Sequence, residues 1–182
     1  MNPSGIILSG GPETVTISSS QKVHKSLLEA KIPILGICYG MQTIANELGG
    51  TVVKSDIREF GHAEISHVNQ SILFNNVSFD SDSLDVWMSH GDKVEVIPEN
   101  FEIIASSKDC KVAGFQNSDS NIFGLQFHPE VTHTNQGEQI LSNFIFKVCV
   151  CSKNWSTSDI INSMLSDVKN KVKNEKVLLL SL

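Results

Sequence analysis

The 182-residue chain lacks several features that mark whole classes of proteins. No apolar run approaches the roughly 20 residues of a membrane-spanning helix, and the N-terminus has no basic and apolar signal regions. The net charge is −6 and the pI is about 5.4, so the composition favours neither a nucleic-acid partner nor an anionic membrane. The sequence therefore predicts a cytoplasmic protein with no membrane partner and no nucleic-acid partner.

Cysteine patterns that build zinc sites or disulfide frameworks are also missing. The four cysteines are irregularly spaced, and Cys149-Val150-Cys151 is not a C-x₂-C knuckle with a partner pair. No two histidines stand at ligand spacing on a predicted helix, which makes a zinc hydrolase the weakest interpretation. The sequence thus predicts no metal site, and its free thiols indicate a reducing compartment.

What the chain does contain is a cysteine placed between a predicted strand and a predicted helix. An apolar strand over residues 32–37 leads into Gly36-Ile37-Cys38-Tyr39-Gly40, and a helical pattern follows over 41–48. This is the layout of a nucleophile elbow, whose tight turn leaves no room for a Cβ at the flanking glycines. The helix N-terminus should lower the pKa of the Cys38 thiol. A buried structural cysteine is the alternative, with about equal weight on this segment alone.

A second segment offers a base for that thiol. A predicted strand over residues 122–127 ends in His128-Pro129-Glu130. In an extended chain His128 and Glu130 project to the same side, so the carboxylate can orient the imidazole while the imidazole takes the proton of Cys38. Acyl transfer also needs two donors for an oxyanion. The backbone N–H of Tyr39 and a Gly10-Gly11 turn after the first strand are candidates, although such a turn is a weak signal alone.

The remaining periodicity predicts alternating helices and strands. Strands are expected at 5–9, 32–37, 101–106, 112–116 and 122–127, and helices at 20–30, 41–48 and 136–150. Between 51 and 102 the apolar period falls to two, which indicates mostly antiparallel strands. From residue 152 the composition shifts to Ser, Asn and Lys, and an apolar stripe at helical spacing from Ile160 to Val172 predicts a helix that packs through that face.

Three motifs in this order resemble the triad-type (class I) glutamine amidotransferases, and most closely the glutaminase domains of the GMP synthetase family. They are Ser-Gly-Gly-Pro-Glu at 9–13, Gly-Ile-Cys-Tyr-Gly-Met-Gln at 36–42 and Gln-Phe-His-Pro-Glu-Val-Thr-His-Thr at 126–134. The segment Asp-Val-Trp-Met-Ser-His-Gly-Asp-Lys-Val at 85–94 is more particular to GMP synthetases. The resemblance runs from Asn2 to Leu182.

The resemblance implies a role for each matching residue. Cys38 matches the nucleophile, His128 the base and Glu130 the third member of the triad, whereas Gly11 and Tyr39 match the oxyanion donors. The residues that match the glutamine-binding positions are Gln42, Ser89, His90, Gly91 and Asp92. The implied reaction is glutamine hydrolysis, which supplies ammonia for the ATP-dependent amination of xanthosine monophosphate (XMP) to GMP in purine biosynthesis.

The resemblance also implies a fold and a domain organisation. The expected fold is α/β, an open and mostly parallel sheet flanked by helices, with an antiparallel strand-rich insertion. Residues 1–151 match the amidotransferase domain without its first βα unit, and 152–182 match a connector helix and the first strand, 176–182, of an ATP-pyrophosphatase domain. The expectation is therefore a fragment with no cofactor of its own. ATP and Mg²⁺ would bind to the missing synthetase domain, which would be the partner of this chain. A homodimer would also form through that missing domain.

Two other interpretations stay open. A glutaminase for another acceptor, as in anthranilate, carbamoyl-phosphate or CTP synthetases, would keep the chemistry, but the Ser-His-Gly-Asp and Pro-Glu-Val-Thr-His-Thr segments argue against it. An inactive remnant or a regulatory module would keep the fold without the activity. The intact Cys38, His128 and Glu130 favour descent from an active enzyme.

Overall fold

The computed structural model describes residues 3–17, 20–153, 157–173 and 175, without the side chains of 56–58 and 157. The chain forms two compact units, Met1–Cys151 and Ser152–Leu182. The interpretation of the second unit as a connector into a further domain stays a prediction. No helix within the described ranges is long and apolar enough to cross a membrane.

The first unit contains seven strands and three α-helices among its described residues. The strands are β1 (Ile6–Leu8), β2 (Ile34–Ile37), β3 (Thr51–His67), β4 (Ser83–Val96), β5 (Glu102–Ser107), β6 (Gly114–Asn117) and β7 (Ile122–Leu125). The helices are α1 (Lys25–Leu28), α2 (Tyr39–Glu47) and α3 (Gly137–Ser142), with a 3₁₀ turn at Ile72–Phe74 and a π-helical continuation of α3 at Asn143–Val148.

The seven strands form one sheet in the order β1-β2-β7-β6-β5-β3-β4. The predicted α/β class is confirmed, but the sheet is mixed rather than mostly parallel. Only β1–β2 and β2–β7 pair in parallel among the described strands, whereas β7–β6, β6–β5, β5–β3 and β3–β4 are antiparallel. The predicted antiparallel region supplies the long β3–β4 ribbon. Short turns favour antiparallel neighbours, whereas the parallel neighbours β1 and β2 are joined by a segment that carries α1.

The parallel half of the sheet decides where the candidate site lies. Every residue of β2 and β7 is buried, as expected for strands covered on both faces. Their register pairs Ile37 with Leu125, and the next backbone N–H, that of Cys38, donates to the Leu125 carbonyl at 2.7 Å. Because both strands end at the same edge, the residues after Ile37 and after Leu125 emerge side by side.

Two predicted helices differ from those observed. The helix expected over 20–30 is reduced to α1, because the His24 side chain accepts from Ser26 N and caps the helix there, while Val23 N donates to Thr43 Oγ1. The helix expected over 136–150 changes from α to π at Asn143. The buried amide of Asn143 donates to the carbonyls of Leu73 and Asn75, which ties this segment to the 3₁₀ turn.

The second unit contains α4 (Thr157–Val172). Four of its apolar side chains are each more than half exposed: Ile161, Met164, Leu165 and Val168. The stripe that the sequence predicted to pack is therefore not buried among the described residues. Acidic Asp159 lies in its first turn and Lys169 and Lys171 in its last, which suits the helix dipole. The predicted strand at 176–182 and residues Asn2 and Ser156 lie outside the described residues.

Candidate active site

Cys38 occupies a strained turn between β2 and α2. Its φ is 51° and its ψ −107°, a conformation that non-glycine residues adopt only when their surroundings enforce it. A Cβ on Gly36 would lie 2.6 Å from Met41 N, and a Cβ on Gly40 would lie 2.1 Å from the Leu8 carbonyl oxygen. The expectation that both glycines are required by close backbone approach is confirmed, and the elbow layout is present.

The thiol of Cys38 is buried, and this sets its ionisation. Burial raises the pKa of Cys38 to about 11; the Tyr39 backbone N–H and the Gln126 side chain lower it, and the charge of Glu130 raises it. The helix N-terminus therefore lowers the pKa of Cys38 as expected, but removal of the thiol from solvent raises that pKa by more. The Sγ–H donates to the Ser89 carbonyl at 3.4 Å. Near neutral pH the group is a thiol, so a thiolate requires a base beside it.

His128 has the hydrogen-bond arrangement of such a base. Its Nδ1 lies 2.7 Å from Glu130 Oε1, so Nδ1–H donates to the carboxylate and Nε2 carries the lone pair. Nε2 is buried and has no hydrogen-bond partner among the described residues. The backbone of His128 is held on both sides, since its N–H donates to the Trp87 carbonyl and its carbonyl accepts from Thr134 Oγ1.

Gly10 lies between the imidazole and the cysteine. A Cβ at Gly10 would stand 2.9 Å from His128 Cε1 and 3.6 Å from Cys38 Cβ. The fold therefore brings His128 and Cys38 to the same point at the edge of the sheet, as predicted for two residues far apart in sequence. In this structure the thiol donates to the Ser89 carbonyl rather than to Nε2.

Gly10→Ala should displace the imidazole, because a contact of 2.9 Å is shorter than carbon atoms tolerate. We expect the hydrolysis of glutamine, the substrate that the sequence resemblance implies, to slow by about 10- to 100-fold. This is the scale of effect that a small misplacement of a catalytic group produces. Steady-state rates beside those of Ser9→Ala, an exposed neighbour, provide the measurement. Full activity of Gly10→Ala with an unchanged melting temperature would place the working imidazole elsewhere.

A cavity of about 260 Å³ opens beside Cys38. Seven residues predicted from the sequence line it with the cysteine: Gly11, Tyr39, Gln42, Ser89, His90, Gly91 and Asp92. Four lining residues were not predicted: Pro12, Glu13, Thr14 and Phe60. The first three directly follow the Gly10-Gly11 turn, and this adjacency was the available signal. Phe60 comes from the β3–β4 ribbon, whose return to the cavity mouth no local pattern reveals.

Hydrogen bonds tie the cavity walls together. Gln42 Nε2 donates to the Asp92 carbonyl at 2.8 Å and to Gln126 Oε1 at 3.2 Å. Thr14 Oγ1 donates to the Asp92 carboxylate, which links the segment after the Gly10-Gly11 turn to the 89–92 segment of β4. The carboxylates of Glu13 and Asp92 make the wall acidic, whereas no Lys or Arg is among the described lining residues. Such a wall suits a ligand that carries an ammonium group.

A buried cluster includes His90 of the 89–92 segment of β4. His90 Nδ1–H donates to the Asp92 carbonyl, and His90 Nε2 lies 3.1 Å from Glu59 Oε2. Their ligand atoms and Cys110 Sγ all lie within 4.8 Å of one another, a set with the chemistry of metal ligands. Burial raises the pKa of Glu59 and lowers that of His90, which favours the neutral form of each side chain.

Comparison with known proteins agrees with this geometry. A family model described as "Glutamine amidotransferase class-I" matches residues 1–148. The chain is 48% identical to the GMP synthase [glutamine-hydrolyzing] of Ruthia magnifica over 98% of this chain and 34% of that protein. It is 44% identical to the protein of the same name from Haemophilus influenzae over 97% of this chain and 35% of that one. The chain thus spans about a third of the length of these relatives.

Solved structures show the same fold. The crystal structure of a proposed GMP synthase subunit from Thermoplasma acidophilum is 34% identical, with a TM-score of 0.66 over 81% of this chain and 73% of that chain. A glutamine amidotransferase from Thermotoga maritima is 26% identical, with a TM-score of 0.54 over 81% of this chain and 60% of that chain. The elbow cysteine, the fold and the match to the family model agree. The chain belongs to the class I glutamine amidotransferase family.

Proposed function

We propose that this chain is the glutaminase part of a GMP synthetase and hydrolyses glutamine through a Cys38–His128–Glu130 triad. The observation that carries the proposal is the unpartnered Nε2 of His128, which is held by Glu130 on its other side and lies beside the elbow cysteine. The similarity to proteins named GMP synthase supports ammonia transfer to XMP in an ATP-dependent reaction. Mg²⁺ and ATP would then be bound by a further domain, in which the ligase activity resides.

The first half of the reaction forms a thioester. His128 Nε2 takes the thiol proton, and Cys38 Sγ attacks the side-chain amide carbon of glutamine. The carbonyl π electrons move onto oxygen, where the backbone N–H groups of Gly11 and Tyr39 stabilise the oxyanion. As the carbonyl re-forms, the C–N bond breaks. The imidazolium of His128 gives its proton to the leaving nitrogen, and ammonia departs.

The second half releases glutamate. His128 Nε2 takes a proton from water, and the hydroxide formed attacks the thioester carbon. The C–S bond then breaks, and the proton returns from the imidazolium to Cys38. Glu130 stays ionised throughout and stabilises the imidazolium in each half, as the carboxylate of a nucleophile–histidine–acid triad does.

Recognition of glutamine follows from the polarity of the cavity. The α-ammonium group suits the acidic wall formed by Glu13 and Asp92. The 89–92 segment of β4, where the pairing with β3 shifts register, can present backbone groups to the amino acid end. Gln42 holds this segment through the Asp92 carbonyl.

Glu130→Gln is expected to lower glutaminase turnover by about 10-fold or more, but by less than loss of Cys38 or His128. The amide keeps the shape of the side chain but not the charge that stabilises the imidazolium. Ammonia release at saturating glutamine measures the effect. Glu138→Gln, an exposed change in the first turn of α3, is the matched control. Wild-type turnover in Glu130→Gln would remove Glu130 from the triad.

The direct assay of the proposal is release of ammonia and glutamate in equal amounts from glutamine, with asparagine as the comparison substrate. Addition of a separately expressed ATP-pyrophosphatase domain, ATP, Mg²⁺ and XMP should then yield GMP. If glutamine is hydrolysed but no GMP forms, while a different acceptor is aminated by its own synthetase, the acceptor assignment is wrong and the glutaminase assignment stands.

A further inference from the structure

Gln126 has an unpartnered donor in the core of the site. It directly follows β7, its side chain is fully buried, and its backbone N–H donates to the Ala113 carbonyl at 2.9 Å. Its Oε1 accepts from Gln42 Nε2 at 3.2 Å. Its Nε2 has no hydrogen-bond partner among the described residues. A buried amide N–H without an acceptor is costly, so its retention beside a reactive group suggests a use for it.

The orientation of this amide is fixed by its neighbour. Gln42 Nε2 donates both to the Asp92 carbonyl and to Gln126, so the oxygen of Gln126 has to face Gln42. The nitrogen consequently faces the other way. Gln126 directly follows Leu125, whose carbonyl accepts from the Cys38 N–H at 2.7 Å, so this amide lies beside Cys38. The Gln126 side chain and the Tyr39 N–H both lower the pKa of the Cys38 thiol.

The partner of the thiol has to change when Cys38 ionises. The Ser89 carbonyl is an acceptor and can bind Sγ–H, but it repels a thiolate. A thiolate needs donors, and Gln126 Nε2 is a buried donor with no hydrogen-bond partner among the described residues.

We propose that Gln126 is a positioning residue whose Nε2–H holds the Cys38 thiolate in its attacking position, while its Oε1 couples that position to Gln42 and the 89–92 segment of β4. This role rests on the proposed function of Cys38 as nucleophile. Gln126 opens the motif at 126–134, but no sequence pattern gives its side chain a role. It is distinguished only by the tertiary contacts of its two amide atoms.

The test uses two variants that separate the amide's two ends. Gln126→Glu keeps an acceptor for Gln42 and replaces the donor with an oxygen, whereas Gln126→Met removes both. The readout is the rate at which iodoacetamide alkylates Cys38 between pH 7 and 10, followed on the Cys38 peptide by mass spectrometry. Below the pKa this rate is proportional to the thiolate fraction, so a rise of one pKa unit appears as a fall of about 10-fold.

We expect alkylation of Cys38 to slow by about 10-fold in Gln126→Met and by more in Gln126→Glu, with kcat for glutamine falling further than KM changes. Gln116→Met is the matched control, since Gln116 is a buried glutamine on β6 whose Nε2 donates to Glu102 and to the Gln70 carbonyl. Its Cys38 alkylation should match that of the wild type. Wild-type alkylation in a folded Gln126→Glu would overturn the proposal, even if Gln126→Met fails to fold.

The alkylation assay contains no glutamine, so it is independent of the glutaminase assignment. If the variants slow alkylation but the wild type releases no ammonia, the proposed function fails and the role of Gln126 toward the thiolate stands. If the wild type is active and both folded variants alkylate normally, the role of Gln126 fails and the triad stands.

Discussion

Cys38→Ser is expected to reduce glutamine hydrolysis to background, a loss of at least about 10³- to 10⁴-fold. A serine hydroxyl is far harder to ionise than a thiol, so the substituted side chain stays protonated and attacks poorly. The change removes little volume, and the elbow is set by Gly36 and Gly40, so the fold should persist. Ammonia release measures the loss, and circular dichroism checks the fold.

Cys149→Ser provides the control for this substitution. Cys149 is a partly buried free cysteine outside the cavity. Its replacement tests thiol loss in general and should leave turnover within about twofold of the wild type, the range of a substitution remote from the site. If Cys38→Ser kept a tenth of the wild-type rate, Cys38 would not be the nucleophile.

His128→Asn is expected to lower turnover by about 10²- to 10⁴-fold, the contribution of a positioned general acid and base. Asparagine can still donate to Glu130 but offers no basic nitrogen. Because the pKa of Cys38 is raised to about 11, little thiolate forms at neutral pH without that base. The variant's residual rate should therefore rise with pH above 8, whereas the wild-type rate should vary less over that interval.

His133→Asn is the matched control for His128→Asn. His133 stands in the same loop, but it is exposed and packs on Trp87, with ring centroids 4.6 Å apart. Its replacement should change turnover by less than about threefold, as for a surface site. Equal losses in the two variants would show that the loop, rather than the imidazole of His128, limits the reaction.

The sequence was sufficient to predict the elbow because its requirements are local. A tight turn between a strand and a helix excludes a Cβ at Gly36 and Gly40, and the closeness of Leu8 and Met41 to these positions confirms this. The pattern also predicted the two strands that become β2 and β7, but their parallel pairing is a finding of the structure. The roles of the individual site residues stay predictions.

Other features depend on the tertiary fold and could not be read from the pattern. The raised pKa of Cys38 reflects burial by distant segments, which a helix-terminus argument cannot include. The mixed sheet depends on which strands pair, and a two-residue period does not specify partners. Gln126 and the Glu59–His90 pair become visible only through atoms that meet across the sheet.

Labelling with an electrophilic glutamine analogue, followed by peptide mass spectrometry, tests the triad most directly. Burial raises the pKa of Cys38 and Cys149 to about 11 and that of Cys110 to about 12, so ionisation alone gives Cys38 no advantage. Selectivity would have to come from the cavity and from His128. We predict labelling at Cys38, suppressed by glutamine and slowed in His128→Asn, with the other three cysteines spared. Labelling of Cys110, Cys149 or Cys151 in preference to Cys38 in a folded sample would contradict the account.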